Sequence, residues 1–375
     1  MSQEPRWMET LETPALVVDV PTMKENIREY HTFVAEKGAG AVVRPHTKTH
    51  KIPRIAKMQI EMGARGIIVA KISEAEVMAD AGIDDIFICY PIIGHEKLVR
   101  LSALNRRLKR MFVEVDSLTG ARQMSEYAQI TGETFHVICE VDTVGYGRTG
   151  FHYETAVDEI VEVSKLPGLQ VDGIFAYAYM TMRDGSSATP EQCGVAEGKL
   201  TVGLAEQLRA RGLKLEIVAG GSTPTGRWLA TVPGITETHP GTYVYYDAMS
   251  YFFGVTKKNC AAYVVCTVVS SDERHAVIDG GSKTFSTDLA IDCAPLFLNG
   301  YGWILDHDEL RFDHMSEEHG IITRKDGGKL VLPIGTKLRI VPNHICPCVA
   351  LHSYCYFADG ETIEKVKIEG RGAIT

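Results

Sequence analysis

The sequence is short of positive charge, lacks any long apolar run and has no even, closely spaced set of cysteines. Its 39 Lys and Arg face 48 Asp and Glu, a formal charge of −9. Such a chain has no global basic field with which to hold nucleic acid or an anionic membrane. No stretch approaches the ~18–20 uninterrupted apolar residues of a membrane helix. The first fifteen residues carry acids and no apolar run, so a secretory signal is not expected there. The nine cysteines are odd in number and scattered, several of them inside apolar runs such as IFICY and VICEV. That is the usage of reduced, buried thiols rather than of a disulfide framework, and a cytoplasmic location is the expectation. No internal repeat and no low-complexity linker is present.

What the chain has is enough apolar material for a large core. Hydrophobic residues make up 45% and charged residues 23% of 375. This excludes disordered and collagen-like architectures, and the length fits two domains, or one barrel-sized domain with an extension. A small-molecule enzyme is favoured over a nucleic-acid binder. Short apolar runs alternate with amphipathic stretches along most of the chain. Strands are predicted at 41–43, 66–70, 85–89, 111–115, 135–141, 171–176, 215–219 and 235–238. Helices follow the first seven, for example over 73–81, 96–108 and 191–211, the last closed by Gly212 as C-cap. Continuous apolar runs, VICEV and IFICY among them, mark strands buried on both faces. Eight such units predict a (β/α)8 TIM-type barrel. The rival, a doubly wound sheet, usually stops at about six strands.

Beyond residue 250 the texture changes. CAAYVVCTVVSS, RHAVIDG, KLVLP, TKLRIV and CVALHSYCYF read as strands between Gly, Asp and Pro turns. The barrel is therefore placed at 20–250, with a β-rich domain at 251–375 that the N-terminal run PALVVDV, within 1–19, is expected to join.

Active sites of barrels lie at the C-terminal ends of the strands, with phosphate favouring the loops after the last two. After the seventh predicted strand the chain reads Ala219-Gly220-Gly221-Ser222-Thr223-Pro224-Thr225-Gly226. In isolation this is as readily an ordinary glycine-rich turn, but its place in the series favours an anion held by backbone N–H groups and hydroxyls. After the first strand comes Arg44-Pro45-His46-Thr47-Lys48-Thr49-His50-Lys51. A run of bases is commonly a solvated face; at a barrel mouth, Lys48 is placed to form a Schiff base. A lysine imine together with a phosphate clamp fits pyridoxal phosphate (PLP) or a phosphosugar aldolase.

Two further strings carry chemistry. Gly145-Tyr146-Gly147-Arg148-Thr149-Gly150 is formally G-x-G-x-x-G. It sits midway in a series of similar units, with an arginine where a pyrophosphate needs bare backbone, so a dinucleotide site is disfavoured. Arg148 suits an aromatic cofactor or a substrate carboxylate. In Pro342-Asn343-His344-Ile345-Cys346-Pro347-Cys348, an extended backbone would put His344 and Cys346 on one face, an imidazole and thiolate pair suited to zinc. Adding Cys348 and His352 would instead close a structural site, and a buried cysteine pair beside a hydrogen-bonded histidine remains open.

Together these segments resemble the D-threonine aldolase/D-serine dehydratase-like group of fold-type III PLP enzymes, relatives of alanine racemase. The resemblance covers nearly the whole chain and rests on LETPALVVD, RPHTKTHK, KISEAEVMADAGIDDI, EVDTVGYGRTG, AGGSTPT, HPGTYVYYD, SEEHG and VPNHICP. It implies that Lys48 carries the PLP imine, that Gly221, Ser222 and Thr223 hold the phosphate, and that Arg148 and Tyr177 contact the cofactor. It further implies that His344 and Cys346 bind a divalent metal, zinc first, with manganese or magnesium as alternatives. The implied activity is a lyase reaction on a β-hydroxy-D-amino acid. Dehydration of a D-serine or 3-hydroxyaspartate type of substrate to a 2-oxo acid and ammonia comes first; retro-aldol cleavage to glycine and an aldehyde is the alternative. Cys346 and GGSTPT stand closer to the dehydratases than to aldolases, many of which have Asp two residues after the metal histidine and GGGTGS in the loop. The usual Tyr-x-Gly-His or Tyr-x-His segment is here Tyr177-Ala178-Tyr179-Met180. An amino-acid racemase would have no need of the metal pair, and a non-catalytic PLP-binding protein would be a barrel alone. A homodimer is implied, without nucleic-acid or membrane partners.

Overall fold

The structure, a computed structural model, describes residues 5–375. They divide into two units. One comprises the chain up to Ile27 together with Thr49–Lys51 and Thr242–Arg371; the other comprises Arg28–Lys48, Ile52–Gly241 and Gly372–Thr375.

The second unit is a barrel. Its strands are β1 (Val42–Val43), β2 (Ile67–Val69), β3 (Asp85–Ile88), β4 (Arg110–Val115), β5 (Phe135–Asp142), β6 (Leu169–Ala176), β7 (Ile217–Gly220) and β8 (Glu237–Thr238). All pair in parallel with their neighbours in the order β1-β8-β7-β6-β5-β4-β3-β2. A parallel bridge between His46 and Ile68 joins the two ends of that path, so the sheet closes. The expected (β/α)8 barrel is what forms. The helices predicted at 73–81, 96–108 and 191–211 are Ile72–Asp80 (α1), His95–Arg107 and Pro190–Ala210 (α2). Thr189 caps α2, its side chain accepting from the Gln192 N–H in a capping box. Gly212, at φ +96°, takes the left-handed position after it. The barrel interior is filled by Ile68, Phe87, Phe112, Ile138, Phe175, Ile217 and Ala219, drawn from six strands.

The first unit is a sheet in which Leu310–Met315, Gly320–Arg324, Ala276–Ile278, Ala262–Ser271, Ala15–Asp19, Tyr354–Asp359 and Thr362–Lys367 follow one another. Ala15–Asp19, from the PALVVDV run, is antiparallel to Ala262–Ser271 and parallel to Tyr354–Asp359. Two expectations fail in this unit. KLVLP, at 329–333, forms no strand, although Leu330 and Leu332 are buried and only Val331 between them is exposed. CVAL belongs to a helix, Ile345–Leu351, and the strand begins only at Tyr354. Short apolar runs do not distinguish strand from helix by periodicity. No helix among the described residues is long and apolar enough to cross a membrane.

Arg44, read as part of a basic run, is fully buried in the barrel. Its guanidinium makes two bonds to Glu237, at 2.8 and 3.1 Å, and one to Asp85 at 2.5 Å. Burial alone would raise the Glu237 carboxyl, but Arg44 outweighs it and holds the group down at about 2. Because the folded value lies below the unfolded one, this stabilisation is present at neutral pH and is lost as pH falls from about 4.5 toward about 2. Removing the cation strands a buried carboxylate, so Arg44→Met should cost about 3–5 kcal/mol in urea unfolding at pH 7. The deficit should shrink at pH 4, where the unpaired Glu237 takes up a proton. A loss below about 1 kcal/mol at pH 7 would show that the pair contributes little.

Candidate active site

Side chains alternate along a strand, so the residue two past each interior position also points inward, one layer nearer the C-terminal end. Past Phe87, Phe112, Ile138, Phe175 and Ala219 come Cys89, Glu114, Glu140, Tyr177 and Gly221. An apolar layer thus gives way in one step to a polar one. Glu114 and Glu140 are both 2% exposed.

Lys48 lies in a 3-10 turn, Thr47–Thr49, beyond β1. The Thr47 hydroxyl donates to Glu74 of α1 at 2.6 Å, and the Lys48 N–H donates to His46 Nδ1 at 3.3 Å. The lysine is half-buried, and its charge acts on the Cys89 thiol.

The loop after β5 is built around Asp142. Its carboxylate accepts the N–H groups of Val144, Gly145, Tyr146 and Gly147, at 3.3, 2.8, 2.8 and 2.8 Å. Partial burial would raise this carboxyl, but the four donors outweigh it and lower it. The N–H groups that a pyrophosphate would use are therefore taken. The loop delivers Arg148, whose Nη2 donates to Glu140 Oε1 at 2.7 Å and whose guanidinium lies 4.2 Å above the Tyr177 ring centre. Tyr177 packs against Tyr146 and stacks on Tyr179.

After β7, Gly221 adopts φ +83°, and a Cβ there would stand 2.5 Å from Gly226 Cα. Only glycine fits such a crossing. Ser222 Oγ bonds Thr225 Oγ1 at 2.9 Å, and Thr223 Oγ1 accepts the Gly241 N–H at 3.2 Å. Thr238 Oγ1 is buried here without a hydrogen-bond partner among the described residues, 2.4 Å from where a Gly226 Cβ would be. A tight glycine loop with buried hydroxyls, one of them unsatisfied, fits an anion such as the PLP phosphate. Glu197 of α2 braces the same loop: its Oε1 accepts the Gly221 N–H at 2.9 Å, and the Ala178 N–H also bonds the carboxyl. Burial pushes Glu197 up to about 8.

The β-rich unit carries the other predicted pair. His344 and Cys346 do not lie on an extended strand as expected: the strand Lys337–Pro342 has ended, His344 caps the helix Ile345–Leu351, and Cys346 is in its first turn. The two side chains are nevertheless in hydrogen-bond contact. The helix start is fixed by buried Asp247, which accepts the Ile345 N–H at 3.0 Å. Thr49 Oγ1 lies 3.2 Å from Cys346 Sγ. Asp288 Oδ2 bonds His344 Nδ1 at 2.5 Å. Burial would lower the imidazole, but Asp288 and Cys346 together carry it up to about 10. Imidazole and thiol suit a borderline-soft divalent ion, with Asp288 as the hydrogen-bond partner of the imidazole; among the described residues no group of three or more His, Cys, Asp or Glu side chains is arranged to hold an ion. Cys348 and His352 face elsewhere, both bonding the Thr284 carbonyl, at 3.2 and 3.1 Å. The closed four-ligand site is thereby disfavoured.

Residues 18–248 match the alanine racemase N-terminal domain family, and residues 261–358 match the serine dehydratase domain. The chain belongs to the alanine racemase-like family. It is 31% identical over 352 residues to the D-threo-3-hydroxyaspartate dehydratase of Delftia sp. strain HT23, covering 90% of this chain and 91% of that one. It is 30% identical to a D-threonine aldolase of Arthrobacter sp., covering 96% and 93%. The solved Delftia dehydratase has a TM-score of 0.86 to this structure at 29% identity, covering 97% of this chain and 99% of that one. That dehydratase has also been solved as a cysteine-to-alanine mutant in the metal-free form and as a histidine-to-alanine mutant, the two positions lying two residues apart.

The sequence reading of this family member did not single out Glu74, Cys89, Glu114, Glu140, Asp142 or Glu197. For Glu114 and Glu140 a signal was available: each is a lone acid two residues past an interior apolar residue, in MFVEV and VICEV.

Proposed function

We propose that this chain is a PLP- and divalent-metal-dependent lyase acting on β-hydroxy-D-amino acids, and that its main reaction is dehydration to a 2-oxo acid and ammonia. The observation that carries this reading is the polar layer itself. Lys48, Arg148, Tyr177 and the Gly221–Thr223 loop all stand at the C-terminal end of one barrel, each held by its own buried bond or packing contact. Lys48 would hold PLP through its amine, Gly221, Ser222 and Thr223 would hold its phosphate, and Arg148 and Tyr177 would flank it. His344 and Cys346 would hold the ion, with zinc the best match to the pair and manganese or magnesium the alternatives.

PLP supplies a sink for negative charge at Cα, and the ion supplies a Lewis acid for the β-hydroxyl. The rest falls to the chain. The Lys48 amine, where free, would be the base that takes the Cα proton. With that proton passed on to the departing β-hydroxyl, water would leave, and the released enamine would tautomerise to an imine whose hydrolysis gives ammonia and the 2-oxo acid. The water lost is regained. Retro-aldol cleavage would instead deprotonate the hydroxyl and break Cα–Cβ. The dehydratase reading is supported by the thiol ligand, Cys346, and by the likeness to the Delftia dehydratase; the likeness to a D-threonine aldolase keeps cleavage as the alternative. Nine free cysteines suit a reducing, cytoplasmic setting.

The purified protein should be yellow, and borohydride followed by peptide mapping should place PLP on Lys48. Lys48→Ala should lose both the adduct and turnover. Mapping to Lys51 instead would overturn the assignment. An assay separating pyruvate and ammonia from glycine and acetaldehyde decides between elimination and cleavage.

The Arg148 side chain is 40% exposed and Tyr146 43%, whereas carbanion chemistry needs a site shielded from water. A second copy of the chain would provide the cover. Light scattering at assay concentration should give a dimer, and a fully active monomer would refute it.

Chelation should abolish turnover while leaving bound PLP and far-ultraviolet circular dichroism unchanged. Cys346→Ala should do the same. Cys346→Asp keeps an anionic but harder ligand, so it should shift metal preference from zinc toward manganese or magnesium. Full activity in protein shown metal-free by elemental analysis would remove the ion from the reaction; unfolding on chelation would make its role structural.

A further inference from the structure

We propose that Glu114 and Glu140 hold one proton between them and act together as the positioning element for Arg148, an inference that rests on the barrel mouth being the PLP site. Glu140 Oε1 accepts from Arg148 at 2.7 Å. Its other oxygen, and Glu114 Oε1, are buried without a donor from any described residue. Yet the two carboxyls are within hydrogen-bonding reach of each other. Two ionised carboxylates offer only acceptors and repel; a single proton turns the contact into a donor–acceptor bond and satisfies both stranded oxygens.

The surroundings settle which acid carries it. Burial first, and then the charge of Glu140, raise the Glu114 carboxyl well above its ordinary range, with the Cys89 thiol and Arg148 opposing. The thiol itself is raised by burial and by both glutamates, so it stays protonated as a donor to Glu114. The other groups facing the pair are Lys48, which acts on Cys89, and Asp116, raised first by its own burial and also by Glu140. Glu140, not Glu114, is the acid that the Arg148 guanidinium meets, at 2.7 Å. The pair therefore presents one negative charge to one guanidinium, which lies over the Tyr177 ring, 4.2 Å from its centre. With both acids ionised, Glu140 would be pushed from Glu114 and the guanidinium pulled off that ring. Glu114 and Glu140 are positioning residues, acting through Arg148.

The test is infrared spectroscopy of the holoenzyme together with PLP titration. At pH 7 the wild-type protein should show the carbonyl stretch of an un-ionised carboxylic acid that disappears in Glu114→Gln; the difference spectrum cancels any band from Glu197. Glu114→Leu, which keeps the bulk but not the donor, should weaken PLP binding roughly tenfold, the effect of one unsatisfied buried acceptor. Glu114→Gln, whose amide can donate to Glu140, should recover most of that loss. No acid band assignable to Glu114, a Leu variant that binds PLP like the wild type, or a Gln variant as impaired as Leu would each overturn the proposal. If wild-type protein takes up no PLP at Lys48, the cofactor reading falls, and the infrared result alone decides the shared proton.

Discussion

The barrel depends on how one of its two shortest strands is held between its neighbours. β1 has only two residues in ladder geometry, Val42 and Val43, yet it must join β8 to β2 and deliver Lys48. Its backbone does so beyond the formal strand. Val42, Arg44 and His46 donate to the carbonyls of Thr236, Thr238 and Pro240 on one side, at 3.0, 3.0 and 2.8 Å. On the other side, Val43 and Pro45 accept from Arg65 and Ile68, at 2.9 and 2.8 Å. Arg44 fastens the same segment from within by reaching Glu237 on β8 and Asp85 on β3. The turn bearing Lys48 starts where that double ladder stops, and the bond from Thr47 to Glu74 sets its direction. A lysine on a free loop would lose side-chain and backbone entropy on each encounter with a cofactor; here most of that ordering is done by the fold.

The second organising constraint is the change from apolar to charged between two adjacent layers. Burying a carboxylate is unfavourable unless a cation or several donors meet it. The barrel uses a different solution for each acid. Glu237 is met by a bidentate arginine and Asp142 by four N–H groups. Glu140 is met by Arg148, while Glu197 rises toward neutrality under burial and still accepts two N–H groups. Glu197 spans the loops after β6 and β7, so Tyr177 and the Gly221–Thr223 loop share one anchor. Such groups cost stability, and they stand where an enzyme needs rigidity rather than hydrophobic packing.

Much of this was legible in the sequence, because parallel strands and their helices obey strong local rules. The eight strands, the helix boundaries to within a residue or two, and the pairing of PALVVDV with the β-rich unit follow from apolar runs, caps and turn residues. The failures share a cause. CVAL and KLVLP are short apolar runs, and nothing local decides whether such a run becomes helix, strand or loop. His344 and Cys346 meet across a helix start instead of along a strand, since Asp247, 98 residues away, supplies the acceptor that begins the helix. Glu140 was hidden by reading VICEV as an unbroken apolar run, and Glu114 stands in the same place in MFVEV. In a barrel the interior is not uniformly apolar; an acid in such a run marks the layer where core ends and chemistry begins.

The segment from Gly145 to Gly150 shows how little a motif means apart from its hydrogen bonds. In a dinucleotide fold, G-x-G-x-x-G leaves a row of N–H groups free for a pyrophosphate. Here the same spacing follows a strand, and its glycines take positive φ at 145, 147 and 150, so the backbone freedom the motif confers is in use. The anion is already present, however: the carboxylate of Asp142, the last residue of β5, occupies the place a phosphate would take. What the loop then offers is not a cradle but a rigid arm, and the residue at its tip is Arg148. One aspartate thereby converts a phosphate-binding spacing into a device for aiming a guanidinium across the barrel mouth.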